Sequence, residues 1–143
     1  MAKLIDVDMN EYASATAPDR LSSGGLGPCI AVGAIYENLG HMIHYVPLQK
    51  FDEVPCINKF FQALERSVLD KRKLKIYVAG WQIVREQEDE DGILEMLIQE
   101  RKTVLEKITG RGYKIDDVRW CPHGFGQVLT LNLSDNCAHY EEF

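Results

Sequence analysis

The segment that most constrains the fold is a continuous apolar run that directly follows a glycine-rich turn. Residues 29–36 read CIAVGAIY and come after SGGLGP at 23–28. Such a run is typical of a buried strand or of the first turns of a buried helix, and periodicity alone does not separate the two. Either element lies in the core, so the rest of the chain has to cover it.

Strand and helix patterns alternate along the remainder of the chain. In a predicted strand at 40–48, the period of two puts His41 and His44 on opposite faces. The segment 14–28 is rich in small residues, glycine and proline, and is predicted to be flexible. The length of 143 residues and the mixed patterns predict a single domain of the α+β (mixed α/β) class. The full predicted order is strand 4–7, the apolar run, strand 40–48, helix 56–71, strand 74–84, an acidic loop at 86–92, helix 93–109, strand 113–120 and strand 127–133.

The charge balance argues against two classes of partner. Acidic residues number 22 against 16 basic ones, which gives a net charge of -6. This balance disfavours nucleic-acid binding through phosphate neutralisation and attachment to anionic lipid. No apolar run approaches the roughly 20 residues that span a bilayer, so no membrane insertion is expected.

The cysteines and the N-terminal sequence indicate the compartment. The chain has four cysteines, and none of them forms a CxxC pair. They are predicted to be free thiols in a reducing environment. The first residues, MAKLIDVDMN, lack the apolar stretch of a secretory signal. The predicted location is therefore the cytoplasm.

Cys29 and His44 are the pair of residues best suited to chemistry. Cys29 ends the glycine-rich turn, and His44 follows 15 residues later in the neighbouring predicted strand. A histidine within hydrogen-bond reach of a cysteine activates the thiol for acyl transfer. Backbone N–H groups of the turn, among them that of Cys29, could hold the oxyanion, whereas Pro28 has no N–H to donate.

The stretch SGGLGPCIAVGAIYENLGHMIHYVP resembles the chemotaxis glutamine deamidases, the CheD proteins. Their pattern is roughly T-x-G-x-G-S-C-V-A-V, a turn, then G-x-x-x-H and a proline. The similarity is collinear over about residues 22–133, with weaker matches at KIYVAG (75–80) and GYKI (112–115). The matching positions of the main stretch are Gly25, Gly27, Cys29, Gly40, His44 and Pro47, and Ile98 with Arg101 fits an I-x-x-R helix of the family.

The resemblance implies a layered fold, with helices flanking two packed mixed β-sheets. It also implies hydrolysis of glutamine side chains to glutamate on a receptor-like protein substrate, through a thioester and without a metal or an organic cofactor. A signalling phosphatase of the chemotaxis pathway is a possible partner. In these roles Cys29 would be the nucleophile, His44 the base and then the acid, and Ser23 would orient His44, with Gly25 and Gly27 next to the oxyanion.

The sequence departs from the family pattern around the nucleophile. Pro28 replaces a small serine, and Ser23 replaces a threonine but keeps the hydroxyl. His44 lies three residues before Pro47, where the family usually has four, and Trp81 occupies the position of a second glycine. The chain is therefore identified as a divergent relative, within the wider cysteine-hydrolase superfamily that includes the cytotoxic necrotizing factor catalytic domain.

Several alternatives remain open from the sequence. His41 competes with His44 for the role of base. The same fold could serve as a catalytically silent module that binds a protein partner, or as an enzyme for another acyl substrate such as a small amide or a methyl ester. Trp81 and Trp120 could line a substrate groove or pack in the core. Two C-x-H pairs could bind zinc, although their spacing is unusual for it; they are Cys121 with His123 and Cys137 with His139.

Overall fold

A computed structural model describes residues 2–83, 85–89 and 92–143 of the chain. Over these residues the chain forms nine strands and two α-helices. The strands are β1 (Leu4–Asp6), β2 (Glu11–Thr16), β3 (Arg20–Ser23), β4 (Ile30–Tyr36), β5 (Leu39–Tyr45), β6 (Leu74–Gly80), β7 (Asp117–Trp120), β8 (Gln127–Asn132) and β9 (Cys137–Glu142), and the helices are α1 (Pro55–Ser67) and α2 (Leu94–Thr109).

The strands assemble into two sheets, and both are mixed. One has four strands in the order β1-β3-β8-β9, and the other has five in the order β2-β5-β4-β6-β7. The parallel pairs are β1 with β3 and β6 with β7, and the remaining neighbours are antiparallel. The predicted α+β class and the pair of mixed sheets are confirmed.

The apolar run forms the centre of the larger sheet. All seven residues of β4 are buried, and the strand pairs with β5 on one side and β6 on the other. One face of the larger sheet packs on the four-stranded sheet, around residues such as Leu21, Met42 and Leu129. Its other face packs on α1 and α2. The run is thus a strand covered on both faces, which resolves the alternative that periodicity left open.

Helix α1 covers the outer face of the larger sheet with a continuous apolar stripe. Pro55 starts the helix, where its missing N–H costs no intrahelical bond. Phe60, Phe61 and Leu64 follow at helical spacing and are fully buried. Burial of each such side chain contributes roughly 1.5–3 kcal/mol, so this stripe anchors the helix.

The structure corrects several predicted element boundaries. The segment predicted to be flexible at 14–28 contains the end of β2 and all of β3. The predicted helix 56–71 ends at Ser67, and the predicted strand 113–120 begins only at Asp117. The strand predicted to reach Val84 ends at Gly80, and Val84 itself lies outside the described residues.

Two further differences concern the second half of the chain. The C-terminal residues, for which no strand is predicted, form β9 and pair with β8 in full register. The apolar spacing of α2 predicts a buried stripe that includes both Leu97 and Ile98; Leu97 is buried, but Ile98 is 51% exposed.

Candidate active site

Ser23 and His44 meet where the two sheets pack together. Ser23 is the last residue of β3 in the four-stranded sheet, and His44 lies near the end of β5 in the larger one. Both side chains are buried. The Ser23 hydroxyl oxygen lies 2.7 Å from His44 Nδ1, so the predicted hydrogen bond between them is present.

The surrounding contacts determine which nitrogen of His44 carries the proton. The Ser23 hydroxyl donates to the Val7 carbonyl oxygen at 3.1 Å. The hydroxyl oxygen therefore accepts from His44, whose Nδ1–H points to Ser23 and also lies 3.2 Å from the same carbonyl. With the proton on Nδ1, the lone pair is on Nε2, the nitrogen that a general base uses. Nε2 is buried and has no hydrogen-bond partner among the described residues.

Cys29 lies on the same face of the larger sheet as His44. In the β4–β5 register His44 is directly opposite Ala31, and Cys29 is two residues before Ala31 at the entrance to β4. Residues in this diagonal relation on neighbouring strands are roughly 7–8 Å apart, a distance that a histidine and a cysteine side chain can bridge. The Cys29 thiol makes no hydrogen bond to His44 or to any other described residue, so the two side chains are close in register but not hydrogen-bonded.

The glycine-rich turn before Cys29 is held in place by backbone hydrogen bonds from other elements. Gln82 N–H donates to the Gly27 carbonyl at 2.8 Å, and Trp81 N–H donates to the Cys29 carbonyl at 2.9 Å. Leu26 N–H, in turn, donates to the Gln127 carbonyl. The N–H groups of Gly24, Gly25, Gly27 and Cys29 have no acceptor among the residues that the structure describes. The last three of these belong to the two glycines and the cysteine that the sequence suggested for an oxyanion.

Gly80 is a site residue that sequence reasoning missed. It has a φ of +92°, and a Cβ atom there would lie 2.1 Å from the Cys29 carbonyl oxygen. Only glycine allows β6 to approach the Cys29 backbone so closely. A glycine at the end of a strand is the sequence signal that could have indicated this approach.

Gln127 is a second missed residue, and nothing in its sequence context indicated it. Its buried side-chain oxygen accepts from Gly80 N–H at 2.6 Å, and its amide nitrogen donates to the Arg119 carbonyl at 3.2 Å. The side chain thus ties the start of β8 to the end of β6. Because those elements are 47 residues apart in sequence, no local pattern predicts the contact.

Trp81 follows Gly80 in an unusual backbone conformation. Its φ of +52° lies in the left-handed region, at the position where the resemblance places a second glycine. The Arg101 guanidinium donates to the Trp81 carbonyl and stacks 4.5 Å above the ring of Trp120. The indole of Trp81 is fully buried and meets Trp120 edge to face. Trp81 therefore belongs to the core and does not line a groove.

Burial keeps both members of the Cys29–His44 pair neutral. It raises the pKa of the Cys29 thiol. It also lowers the pKa of His44, against the opposing effects of the Val7 carbonyl and of Asp8 and Asp6. The free protein therefore holds a thiol and a neutral imidazole, so the chemistry available to the pair is proton removal during attack rather than a preformed thiolate.

His41 is placed on the other face of β5, as the strand alternation predicted. Its Nδ1 lies 2.8 Å from the Tyr12 hydroxyl and its Nε2 lies 3.2 Å from the Ser67 hydroxyl. Burial lowers the pKa of His41 to about 4. With both nitrogens occupied and the sheet between it and Cys29, His41 is a structural residue. Of the two histidines of β5, His44 is the one on the face of the sheet that carries Cys29.

The candidate site is closed to solvent. Cys29 is 8% exposed, and neither it nor His44 lines the two main cavities of the described residues. The smaller of these cavities, about 260 Å³, is lined by Pro28, the residue before Cys29, and by Pro47 beyond the end of β5.

The two C-x-H pairs do not form a zinc site. Cys137 and His139 lie on β9 within 3.5 Å of each other, while the Cys121 thiol donates to the Phe125 carbonyl. Within residues 2–83, 85–89 and 92–143, no group of three or more His, Cys, Asp and Glu residues could hold a metal ion. All four cysteines are free.

No protein-family model matches the chain, and no curated protein matches its sequence. In the part of the chain that the structure describes, no helix combines the length and the apolar character needed to cross a membrane.

Proposed function

We propose that the chain is a cysteine-dependent amidohydrolase that deamidates glutamine side chains of a protein substrate to glutamate. The observation that carries this proposal is the orientation of His44. Ser23 and the Val7 carbonyl hold its Nδ1–H, so its Nε2 lone pair is left free on the face of the sheet that carries Cys29. A base of this kind next to a thiol is the arrangement that acyl transfer requires.

In the first half of the reaction, Cys29 attacks the side-chain amide carbon of the glutamine. The thiol proton moves to His44 Nε2 as the sulfur–carbon bond forms, so no free thiolate is needed beforehand. The tetrahedral intermediate then loses ammonia, which takes the proton from His44, and a thioester remains. Ser23 keeps the imidazole in one tautomer and stabilises the imidazolium that forms.

The oxyanion and the second half of the reaction use the same residues. The unpaired N–H groups of Gly25, Gly27 and Cys29 are available donors to the negative oxygen. Water then attacks the thioester carbon and gives a proton to His44. The carbon–sulfur bond breaks, His44 returns its proton to the Cys29 sulfur, and the glutamic acid side chain leaves and loses its remaining proton to solvent as the carboxylate.

The proposed substrate is a receptor-like protein with exposed glutamines, and the proposed partner is a signalling phosphatase. The burial of Cys29 supports a macromolecular substrate. Docking of a protein surface supplies binding energy that can displace residues 24–28 and open a path to the thiol. The four free cysteines support a reducing, cytoplasmic setting.

A second function is favoured by a separate observation. Cys29 is buried, its pKa is raised, and the rigid Pro28 stands in place of a residue with an N–H group. These features suit a catalytically silent relative that binds a signalling protein through the surface around Cys29. The two functions differ in whether Cys29 reacts at all.

Ammonia release tests the proposal directly. Glutamine-bearing peptides and intact proteins are incubated with the wild type, with Cys29→Ala, and with Cys56→Ala as a matched control for removal of a buried thiol. We expect release that Cys29→Ala abolishes and Cys56→Ala preserves. Release that persists in Cys29→Ala, or that is absent from every substrate tested, contradicts the enzyme.

Thiol labelling separates the enzyme from the silent module without a known substrate. Iodoacetamide labelling of each cysteine is followed against pH by peptide mass spectrometry, in the wild type, His44→Gln and His41→Gln. The enzyme predicts that Cys29 reacts faster than Cys56 and Cys121, and that only His44→Gln removes the difference. Equal rates at the three buried thiols favour the silent module.

A further inference from the structure

A large cavity lies between α2 and the segment that follows β5, away from Cys29 and His44. It has a volume of about 920 Å³, within the roughly 300–1,000 Å³ typical of sites for small molecules. Tyr45 and Phe51 line one side, and Met96 and Val104 line the other. Met96 is 57% exposed, so this end of α2 leaves an apolar surface uncovered at the cavity mouth.

The charges around the cavity are not balanced. Lys107 lies 2.9 Å from Asp52, and Lys50 lies 4.0 Å from Glu53, so both bases that line it already have an acid. Glu100 also lines the cavity, and no base among the described residues forms an ion pair with it.

The Glu100 carboxylate is held in place by the chain opposite it. Both of its oxygens accept from Leu48 N–H, at 2.8 and 2.9 Å. Burial raises its pKa, against the opposing effect of the hydrogen bonds from Leu48 N–H. Glu95, a second acid on the cavity wall, adds to the negative character of the site. The cavity is therefore set up to accept a positive charge.

The wall also contains a buried polar group without a partner. Tyr45 is 2% exposed, and its hydroxyl makes no hydrogen bond to any residue that the structure describes. Such groups are rare in native proteins and require an explanation. Tyr45 and Glu100 both line this cavity.

We infer that this cavity is a binding site for a small organic cation, an amine with an apolar body. The apolar part would lie against Phe51, Met96 and Val104, and the ammonium would face Glu100 with the aromatic rings beside it. The Tyr45 hydroxyl would gain a partner in the bound state. The site stands on its own geometry and does not depend on the proposed deamidase activity.

The site is separate from Cys29 but adjacent to it in the fold. Tyr45 follows His44 on β5, and their side chains point to opposite faces of the sheet. A ligand held against Tyr45 therefore contacts the strand that carries the proposed base. The binding test is nonetheless made without reference to activity.

Three ligands with the same phenylbutyl body and different end groups test whether binding to the cavity requires a positive charge. The full chain is titrated with 4-phenylbutylamine, 4-phenylbutanol and 4-phenylbutyrate, with binding followed by amide chemical shifts in NMR spectra. We expect saturable shifts at residues 45–53 and 95–107 with the amine, weaker shifts with the alcohol and none with the carboxylate. Equal binding of amine and alcohol, or no saturable binding of the amine, overturns the inference.

Two substitutions test the polar groups of the wall. Glu100→Gln removes the charge but keeps an oxygen for Leu48 N–H, and we expect it to weaken amine binding by about fivefold, the effect of one partly exposed ion pair. Glu106→Gln on the same helix is the matched control and should bind as the wild type does. An unchanged affinity in Glu100→Gln overturns the assignment of the charge.

Tyr45→Phe distinguishes a ligand group from a structural one. Removal of an unsatisfied buried hydroxyl should raise the melting temperature of the free protein by roughly 2–4 °C. If the hydroxyl serves the ligand, the same substitution weakens amine binding. A gain in stability with no loss of affinity would remove Tyr45 from the site, and Thr103→Trp, which fills the cavity from α2, then tests whether the amine binds there at all.

Discussion

The two histidines of β5 show how neighbouring residues of one strand reach opposite roles. Both are buried, and three positions separate them. His41 has a hydroxyl partner on each nitrogen, so its lone pair and its proton are both in use. His44 has partners on Nδ1 alone, and its Nε2 is free. A buried imidazole with full hydrogen bonding stabilises a structure, whereas one with a free nitrogen is available for proton transfer.

The tautomers of the two residues follow from the same reasoning and are opposite. Ser67 donates to the Ala63 carbonyl at 2.7 Å, so its oxygen accepts from His41 Nε2–H, and His41 Nδ1 accepts from Tyr12. In His44 the proton is on Nδ1. The assignment of a base in this strand therefore depends on partners contributed by other elements, not on the histidines themselves.

The largest expected effect is on catalysis, and it comes from the same substitution made at each histidine. His44→Gln should lower the rate of ammonia release by roughly 10²–10⁴-fold, because glutamine cannot take the thiol proton. His41→Gln should leave the rate within about threefold, since it acts only through packing. Initial rates at saturating substrate, with circular dichroism to confirm folding, make the comparison. An equal loss of rate in the two variants would contradict the different roles assigned to the two faces of β5.

The next effect concerns stability in acid. The pKa of His41 is about 4 in the folded protein, below the unperturbed value of about 6.5, so the unfolded chain binds a proton that the folded one does not. The contribution to stability is intact above pH 6.5 and is lost as the pH falls towards 4, up to about 3 kcal/mol. The lowered pKa of His44 acts with the same sign.

Urea unfolding between pH 4 and 7.5 measures this dependence. His41→Gln should be less stable than the wild type at neutral pH but should lose less stability on acidification. A variant curve that runs parallel to that of the wild type would show that the His41 imidazole does not stay neutral through this range.

Removal of the serine hydroxyl that contacts each histidine should have a smaller effect and should again differ between the two. Ser23→Ala frees the Nδ1 side of His44 and should slow ammonia release roughly 10–100-fold, because the imidazole loses its fixed tautomer. Ser67→Ala removes the corresponding partner of His41 and should cost about 1 kcal/mol of stability with no change in rate. Rates and urea midpoints of both variants test this, and a slower Ser67→Ala enzyme would contradict it.

The smallest effect is electrostatic. Asp8 raises the pKa of His44, in opposition to burial. Asp8→Asn should therefore lower the pKa of His44 and leave that of His41 unchanged, because the sheet separates His41 from Asp8. An NMR titration of the ring protons resolves the two residues, and movement of both pKa values together would mean that they share one electrostatic environment.

Much of the fold was predictable because it depends on local patterns. The apolar run at 29–36, the amphipathic stripe of α1 and the alternation in β5 each indicate a buried face, and the structure confirms all three. Strand β3 was missed because its RLSS sequence has few of the residues that favour strands. It forms because β1 and β8 pair with it on either side, and the β3–β8 pair joins residues more than a hundred positions apart.

The candidate site was predictable in part. The residue pattern indicated Cys29 and His44, and the resemblance added Ser23. The structure brings Ser23 and His44 into contact and places Cys29 on the same face of the larger sheet as His44. Neither the pattern nor the resemblance indicated Gln127. That side chain matters only because two distant elements meet at it, and a buried glutamine carries no periodic signal of its own.

The sequence by itself determined most of the buried faces of the strands and helices, because the period of apolar residues within a short segment shows which side of it is buried. It also determined which reactive residues the chain carries. Only the tertiary structure decided which histidine faces Cys29, which of its nitrogens carries the proton, and how far the thiol is closed off from solvent. Those properties depend on single hydrogen bonds between residues far apart in sequence, such as Ser23 to His44 and Trp81 to Cys29. Each such bond depends on distances of a few ångströms that form only when the two sheets pack.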